Sequence, residues 1–127
     1  MPRKPPTVPD MTFGAWLEAT AALQEQAYGI RPAELLGAAR ADYLRSMTLA
    51  AVVELAEAAQ ETYWKPWGRA DGTPRRDRDR VLEELVDVLH FLGNLLVAQG
   101  VTGPELTAAY LAKAQVNRDR QVTGYAG

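Results

Sequence analysis

Five acidic residues on two apolar stretches are the part of this sequence that could do chemistry together. In "ELAEAAQE" (54–61), Glu54, Glu57 and Glu61 are spaced i, i+3, i+7; in "LEELVD" (82–87), Glu84 and Asp87 are spaced i, i+3. At helical periodicity each set falls on one side of its helix. The rest of those helices is largely apolar: Val52, Val53, Leu55, Ala56, Ala58 and Ala59 on one, Leu82, Leu85, Val86, Val88, Leu89, Phe91 and Leu92 on the other. Helices this apolar are expected to be covered over most of their circumference, which drives the carboxylates into the interior or into a cleft. Carboxylates there need partners, and like charges brought together push one another towards protonation. No Lys or Arg occurs between residues 48 and 64 or between 81 and 99. A divalent cation resolves the conflict, and Mg²⁺, a hard ion held by a few carboxylates plus substrate phosphates, suits an all-oxygen set. Either motif alone is an ordinary solvated helix face. The weight lies in having two, on helices joined by a Gly/Pro/Arg-rich segment that lets them pair antiparallel. Glu25 and Glu83 read as solvated. His90 follows Asp87 by three, but a di-iron bundle needs a carboxylate-x-x-His pair on two helices, and His90 is the only histidine. It reads as a core or cleft-edge residue.

Between the acidic helices lie Lys65, Arg69, Arg75, Arg76, Arg78 and Arg80. Cations beside a carboxylate–metal cluster suit a polyphosphate, and Trp64 and Trp67 offer a surface for a flat base; a solvated, self-paired charge run is the plain alternative. Near the C-terminus, Lys113, Asn117 and Arg120 are spaced i, i+4, i+7. They form either a second phosphate clamp or a solvated helix face.

These groups have to be positioned by helices, since no stretch shows the strict alternation of a strand. A first helix begins after Thr12 and stops at Gly29, with Phe13, Trp16, Leu17, Leu23 and Ala27 on its apolar face and Thr20 as the one polar member. "RPAELLGAAR" reads as a short or broken helix opened by Pro32. A long helix is expected from about Ser46 to Trp64, ending before Pro66. A loop spans 65–78, a third long helix runs from about Asp79 to Gln99, and "TGPE" (102–105) reads as a capping box opening a last helix to about Gln121. The fold class is therefore all-α, a four-helix-bundle-like domain over 11–127 preceded by a Pro-rich flexible arm, 1–10.

The segments "ELAEAAQE", "YWKPW", "LEELVDVLHFLGNLL" and "YLAKAQVNRDRQVTGY" resemble, in order and spacing, the all-α nucleoside triphosphate pyrophosphohydrolases (the MazG-like superfamily), and within them the dimeric dUTPases, including phage-type members. The resemblance implies a MazG/dimeric-dUTPase fold and hydrolysis of a dNTP, dUTP favoured, to the nucleoside monophosphate and pyrophosphate. Glu54, Glu57, Glu84 and Asp87 resemble the family's Mg²⁺ ligands, with Mn²⁺ able to substitute. Glu54 stands where a glutamate positions or deprotonates the attacking water, with Glu57 and Glu61 beside it. Lys113, Asn117, Arg120 and Lys65 match phosphate-holding positions, and Gln24, Asn94, Trp64 and Trp67 are candidates for base or sugar contact. The resemblance also implies a homodimer or homotetramer with sites completed across the interface, and the absence of cysteine fits a cytoplasmic location. One departure matters: in "QEQAYG", Tyr28 stands where dimeric dUTPases place an asparagine that helps read uracil, which leaves a different (d)NTP such as dGTP or dCTP open. A non-catalytic helical module that binds a nucleotide or protein is the alternative from another class.

Composition sets the outer limits. The chain has 127 residues, a net charge of −2 and no cysteine. Disulfides and thiolate metal sites are excluded, and nothing global favours nucleic acid or an anionic membrane. The basic N-terminus lacks the apolar core of a signal peptide.

Overall fold

The computed structural model describes residues 10–124. Four helices carry the chain: α1 (Phe13–Tyr28), α2 (Gly37–Gln60), α3 (Arg78–Ala98) and α4 (Gly103–Thr123), with a short 3₁₀ turn (Pro32–Glu34) between α1 and α2. Among the described residues there is no strand, only an isolated antiparallel bridge between Thr62 and Pro74. The all-α expectation holds. The expected N-terminal arm lies, except for Asp10, outside the described residues.

Helix starts follow local chemistry. Thr12 accepts from the Ala15 amide at 3.0 Å, Asp77 from Arg80 at 2.8 Å and Thr102 from Glu105 at 3.3 Å, each filling an otherwise orphaned donor. Thr102 and Glu105 thus form the expected helix start. Gly29 closes α1 at φ +66°, with its amide bonded back to Gln24 and Glu25, a left-handed cap that glycine adopts without steric cost.

The bounds of α2 differ from the expectation at both ends. It begins at Gly37 rather than near Ser46, because 37–45 contains no proline and is alanine-rich, so nothing interrupts propagation from the first turn. It ends at Gln60 rather than at Trp64. Beyond that point the backbone is claimed by the loop: Tyr63 donates to Thr73 O at 3.1 Å, Gly72 to Tyr63 O at 3.1 Å and Arg75 to Glu61 O at 2.7 Å. The 61–77 segment is therefore a folded loop. Asp71 accepts from Thr73 Oγ1 and from the Thr73 amide, and Tyr63 lies under the guanidinium groups of Arg69 and Arg75. Hydrogen bonds from the Thr73 hydroxyl, Arg69 and the Thr73 amide hold the Asp71 carboxyl down to about 2.

Packing of α1 also corrects a detail. Its buried stripe is Leu17, Thr20 and Gln24, while Leu23 is 46% exposed. The stripe follows α3 rather than the most apolar side chains. Thr20 is tolerated there because its hydroxyl donates to Trp16 O at 2.8 Å, and Gly93 lets α3 come close: a Cβ at that position would lie 2.9 Å from Thr20 Oγ1. At the other end of α1, a Cβ on Gly103 would lie 2.6 Å from the Gly14 backbone. That glycine pair, with Phe13 and Tyr110 ring centroids 6.2 Å apart, fixes where α4 crosses α1.

Helices α2 and α3 pair antiparallel in a heptad register. Arg40 donates to Ala98 O at 2.6 Å and to Gln99 Oε1 at 2.9 Å. One heptad on, Asn94 Nδ2 faces Met47 Sδ at 3.3 Å. One further on, Glu54 meets Asp87 and Glu84. At the last rung Arg80 Nε lies 3.9 Å from a Glu61 oxygen.

Candidate active site

The acidic rung is the centre of the site. Carboxylate oxygens of Glu54, Glu84 and Asp87 all lie within 4.8 Å of one another. Glu54 and Glu84 are half-buried and Asp87 is exposed. The Glu54 carboxyl is pushed above its ordinary value, first by partial burial, then by the charges of Glu57 and Asp87, and by hydrogen bonds with Glu57 and Glu84. No ion pair among the described residues reaches these four acids. Converging oxygens, a carboxyl already driven towards protonation and no neutralising base together fit a hard divalent cation. Of the four expected ligands, three form the tight cluster; Glu57, exposed, joins it through Glu54.

Glu61 is placed differently. It caps α2, and its mostly covered carboxylate faces Arg76 and Arg80, both at 3.9 Å. It ties the loop and the start of α3 to the end of α2. Arg76 and Arg80 are two of the six cations expected beside the acids, and Arg80, four residues before Glu84, shares its helix face.

On the other side of the acids, one heptad along, a cavity of about 500 Å³ opens between α1, α2, α3 and the 3₁₀ turn, with Gln24, Tyr28, Tyr43, Met47, Phe91 and Asn94 in its wall. Gln24 and Asn94 are 7% and 4% exposed, and the two amides expected to contact a base line the same open cavity. Tyr28 lines it too. Tyr43, which the sequence reading passed over, donates its hydroxyl to Gln24 Oε1 at 2.9 Å.

These features coincide with a family likeness. The sequence profile of the family described as dUTPase matches residues 24–100. The chain belongs to the all-α dUTPase family. The match spans more than half of the chain and takes in both acidic motifs, the cavity amides and the loop between them. Comparison with curated proteins and with solved structures finds no match.

Other expected residues of this dUTPase-family chain are not brought to the cavity. Trp64 and Trp67 meet edge to face at 6.4 Å, and Lys65 Nζ sits 5.9 Å over the Trp67 ring. Trp64 and Lys65 line a separate recess of about 180 Å³ with Tyr63, Arg69 and Arg75. Lys113, Asn117 and Arg120 are exposed on α4, beyond the turns that pack on α1. His90 is at the edge of a groove between α1 and α3, with Trp16, Leu23 and Val86, and takes no part in the acid cluster.

Proposed function

We propose that the chain is a Mg²⁺-dependent nucleoside triphosphate pyrophosphohydrolase that cleaves a deoxynucleoside triphosphate, dUTP preferred, between the α- and β-phosphates. The observation that carries this reading is the order of rungs along α2 and α3. The amide-lined cavity, the acids and the arginines follow one another at heptad intervals, about 10 Å apart at 1.5 Å per residue. That is roughly the reach from a base across its sugar to the 5′-phosphates, so one extended nucleotide places its base by Gln24 and Asn94, its α-phosphate by the acids and its outer phosphates towards Arg80 and Arg76.

Glu54, Glu57, Glu84 and Asp87 would hold the metal, Mg²⁺ or Mn²⁺, which when bound supplies charge neutralisation and a more acidic water. Glu54 is the proton acceptor, as the acid that neighbours Glu57, Glu84 and Asp87 together. A water oxygen between the acids attacks the α-phosphorus while its proton passes to Glu54. The bond from that phosphorus to the bridging oxygen breaks, and pyrophosphate leaves with the electron pair. No covalent nucleophile is required.

The single chain leaves much apolar surface open. Val52 and Leu55 on α2, Leu82 and Leu89 on α3, and Tyr110 and Leu111 on α4 are all at least 48% exposed. Patches of this kind mark interaction surfaces. They support a homodimer or homotetramer in which Lys113, Asn117 and Arg120 clamp the phosphates of a neighbouring copy's substrate.

The test is a panel of dATP, dGTP, dCTP, dTTP and dUTP with Mg²⁺, read as pyrophosphate released. Turnover with dUTP fastest supports the reading. Release from none of them leaves a binding module, and a different leading base moves the specificity to Tyr28.

A further inference from the structure

Resting on the reading of the cavity as the base seat, we propose that Tyr43 is a positioning residue that sets which atom of the Gln24 carboxamide faces the base, making the cavity select bases by the polarity of their hydrogen-bonding edge.

The geometry is closed on one side and open on the other. The Tyr43 hydroxyl donates to Gln24 Oε1 at 2.9 Å between two buried side chains, 8% and 7% exposed. Burial pushes the Tyr43 phenol up to about 12, so it carries its proton at any working pH. One N–H of Asn94 Nδ2 donates to Met47 Sδ at 3.3 Å. No buried side-chain nitrogen or oxygen lacks a partner among the described residues. Gln24 Nε2 and Asn94 Oδ1 make no hydrogen bond within the described residues, so neither is fully buried, and both side chains line the open cavity. Beside Tyr28, Asp42 and Ser46 in the same wall, these two atoms offer one donor and one acceptor.

Turning the Gln24 amide over would bring Nε2 against the phenol oxygen and leave the phenol hydrogen, buried, with no acceptor. Stranding a buried donor is unfavourable, so Tyr43 favours one orientation. A keto pyrimidine matches it: the 4-carbonyl accepts from Gln24 Nε2 and N3–H donates to Asn94 Oδ1. Cytosine in the same seat sets its 4-amino group against the Gln24 amine and its bare N3 against the Asn94 oxygen. Sites that leave polar groups mismatched reject a substrate far more strongly than sites that lose only apolar contact. Tyr43 need not touch the nucleotide to have this effect.

The experiment compares wild type and Tyr43→Phe for kcat and KM on dUTP and dCTP with Mg²⁺. Wild type is expected to favour dUTP. The variant, which keeps the ring and loses only the hydroxyl, is expected to lower the dUTP-to-dCTP ratio of kcat/KM by about tenfold, equivalent to about 1.4 kcal/mol. The loss should fall on the KM for dUTP, with kcat changed less than about twofold. A retained ratio, or an equal fall for both nucleotides, overturns the proposal by leaving Tyr43 a packing role. So does a wild type that turns over both equally. A wild type that hydrolyses no nucleotide instead overturns the functional reading beneath it. Should Tyr43→Phe not fold, titration of the wild type with dUMP and dCMP gives the same decision. The Gln24 side-chain NH₂ signals are expected to shift with dUMP and much less with dCMP; equal shifts, or none, overturn the proposal.

Discussion

Glu61 at the end of α2 and Arg80 at the start of α3 face each other across 3.9 Å, one heptad from the Glu54–Asp87 rung and on the same two helix faces. The acid cluster is therefore flanked on its loop side by a cation that is already oriented. A pair this long, with the arginine half exposed, contributes about 1 kcal/mol or less to stability. For Arg80→Ala, the expected result is a nearly unchanged melting temperature and a KM for the triphosphate raised about tenfold, as for loss of a charge-assisted phosphate contact. Steady-state kinetics beside a thermal melt separates the two. A variant that melts early and keeps its KM would show that Arg80 only fastens the loop.

Metal dependence is the most direct test of the four acids. Glu57→Gln and Asp87→Asn are each expected to cut turnover by more than about 100-fold, since loss of even outer-shell support costs about 10- to 100-fold, while far-ultraviolet circular dichroism stays helical. Mg²⁺ at about 100 times its dissociation constant should stabilise wild type by about 2.7 kcal/mol. The same addition should move the melting curve of Asp87→Asn much less.

Two carboxyls give pH dependences of opposite sign. Glu54 is raised, so the folded state holds its proton more tightly than the unfolded chain, and stability without metal falls as pH rises from about 4 through the raised value. Glu54→Gln should flatten that limb. Asp71 is lowered to about 2, so its contribution is present above about pH 4 and is lost as pH falls through about 2. Asp71→Asn should remove the acid limb, most visibly in the fluorescence of Trp64 and Trp67 on the same loop. Melts in EDTA across pH check both.

Close approach of α1 and α3 depends on Gly93. A methyl group there would lie 2.9 Å and 3.0 Å from Thr20 atoms and 3.2 Å from Trp16. Gly93→Ala is expected to destabilise by about 1–3 kcal/mol through overpacking, measured by denaturant titration. Because α1 carries Gln24, the variant should also raise KM for dUTP more than it lowers kcat.

If sites are shared between copies, two dead variants can rescue each other. Glu57→Gln lacks an acid and Lys113→Ala lacks part of the clamp. Co-refolded, mixed assemblies are expected to regain up to about a quarter of wild-type activity, while light scattering reports a dimer or larger. An active monomer, or no rescue, would place the clamp elsewhere.

Much of this protein is written in local sequence. The caps at Thr12, Asp77 and Thr102, the stop at Gly29 and the i, i+3 carboxylates on apolar helices are short-range features, and short-range sterics and hydrogen bonding decide them. The C-terminus of α2 was decided otherwise: it yields to hydrogen bonds from residues 72–75, which only the folded loop brings near. Pairing of Gln24 with Tyr43, of Asn94 with Met47 and of Glu61 with Arg80 depends on the antiparallel register of α2 and α3 and on α1 lying against them. The heptad spacing was present in the sequence, but spacing gives a face, and a face does not name its partner. That choice belongs to tertiary packing, because contacts between residues distant along the chain are fixed only once helices have been brought together and the chain entropy of doing so has been offset.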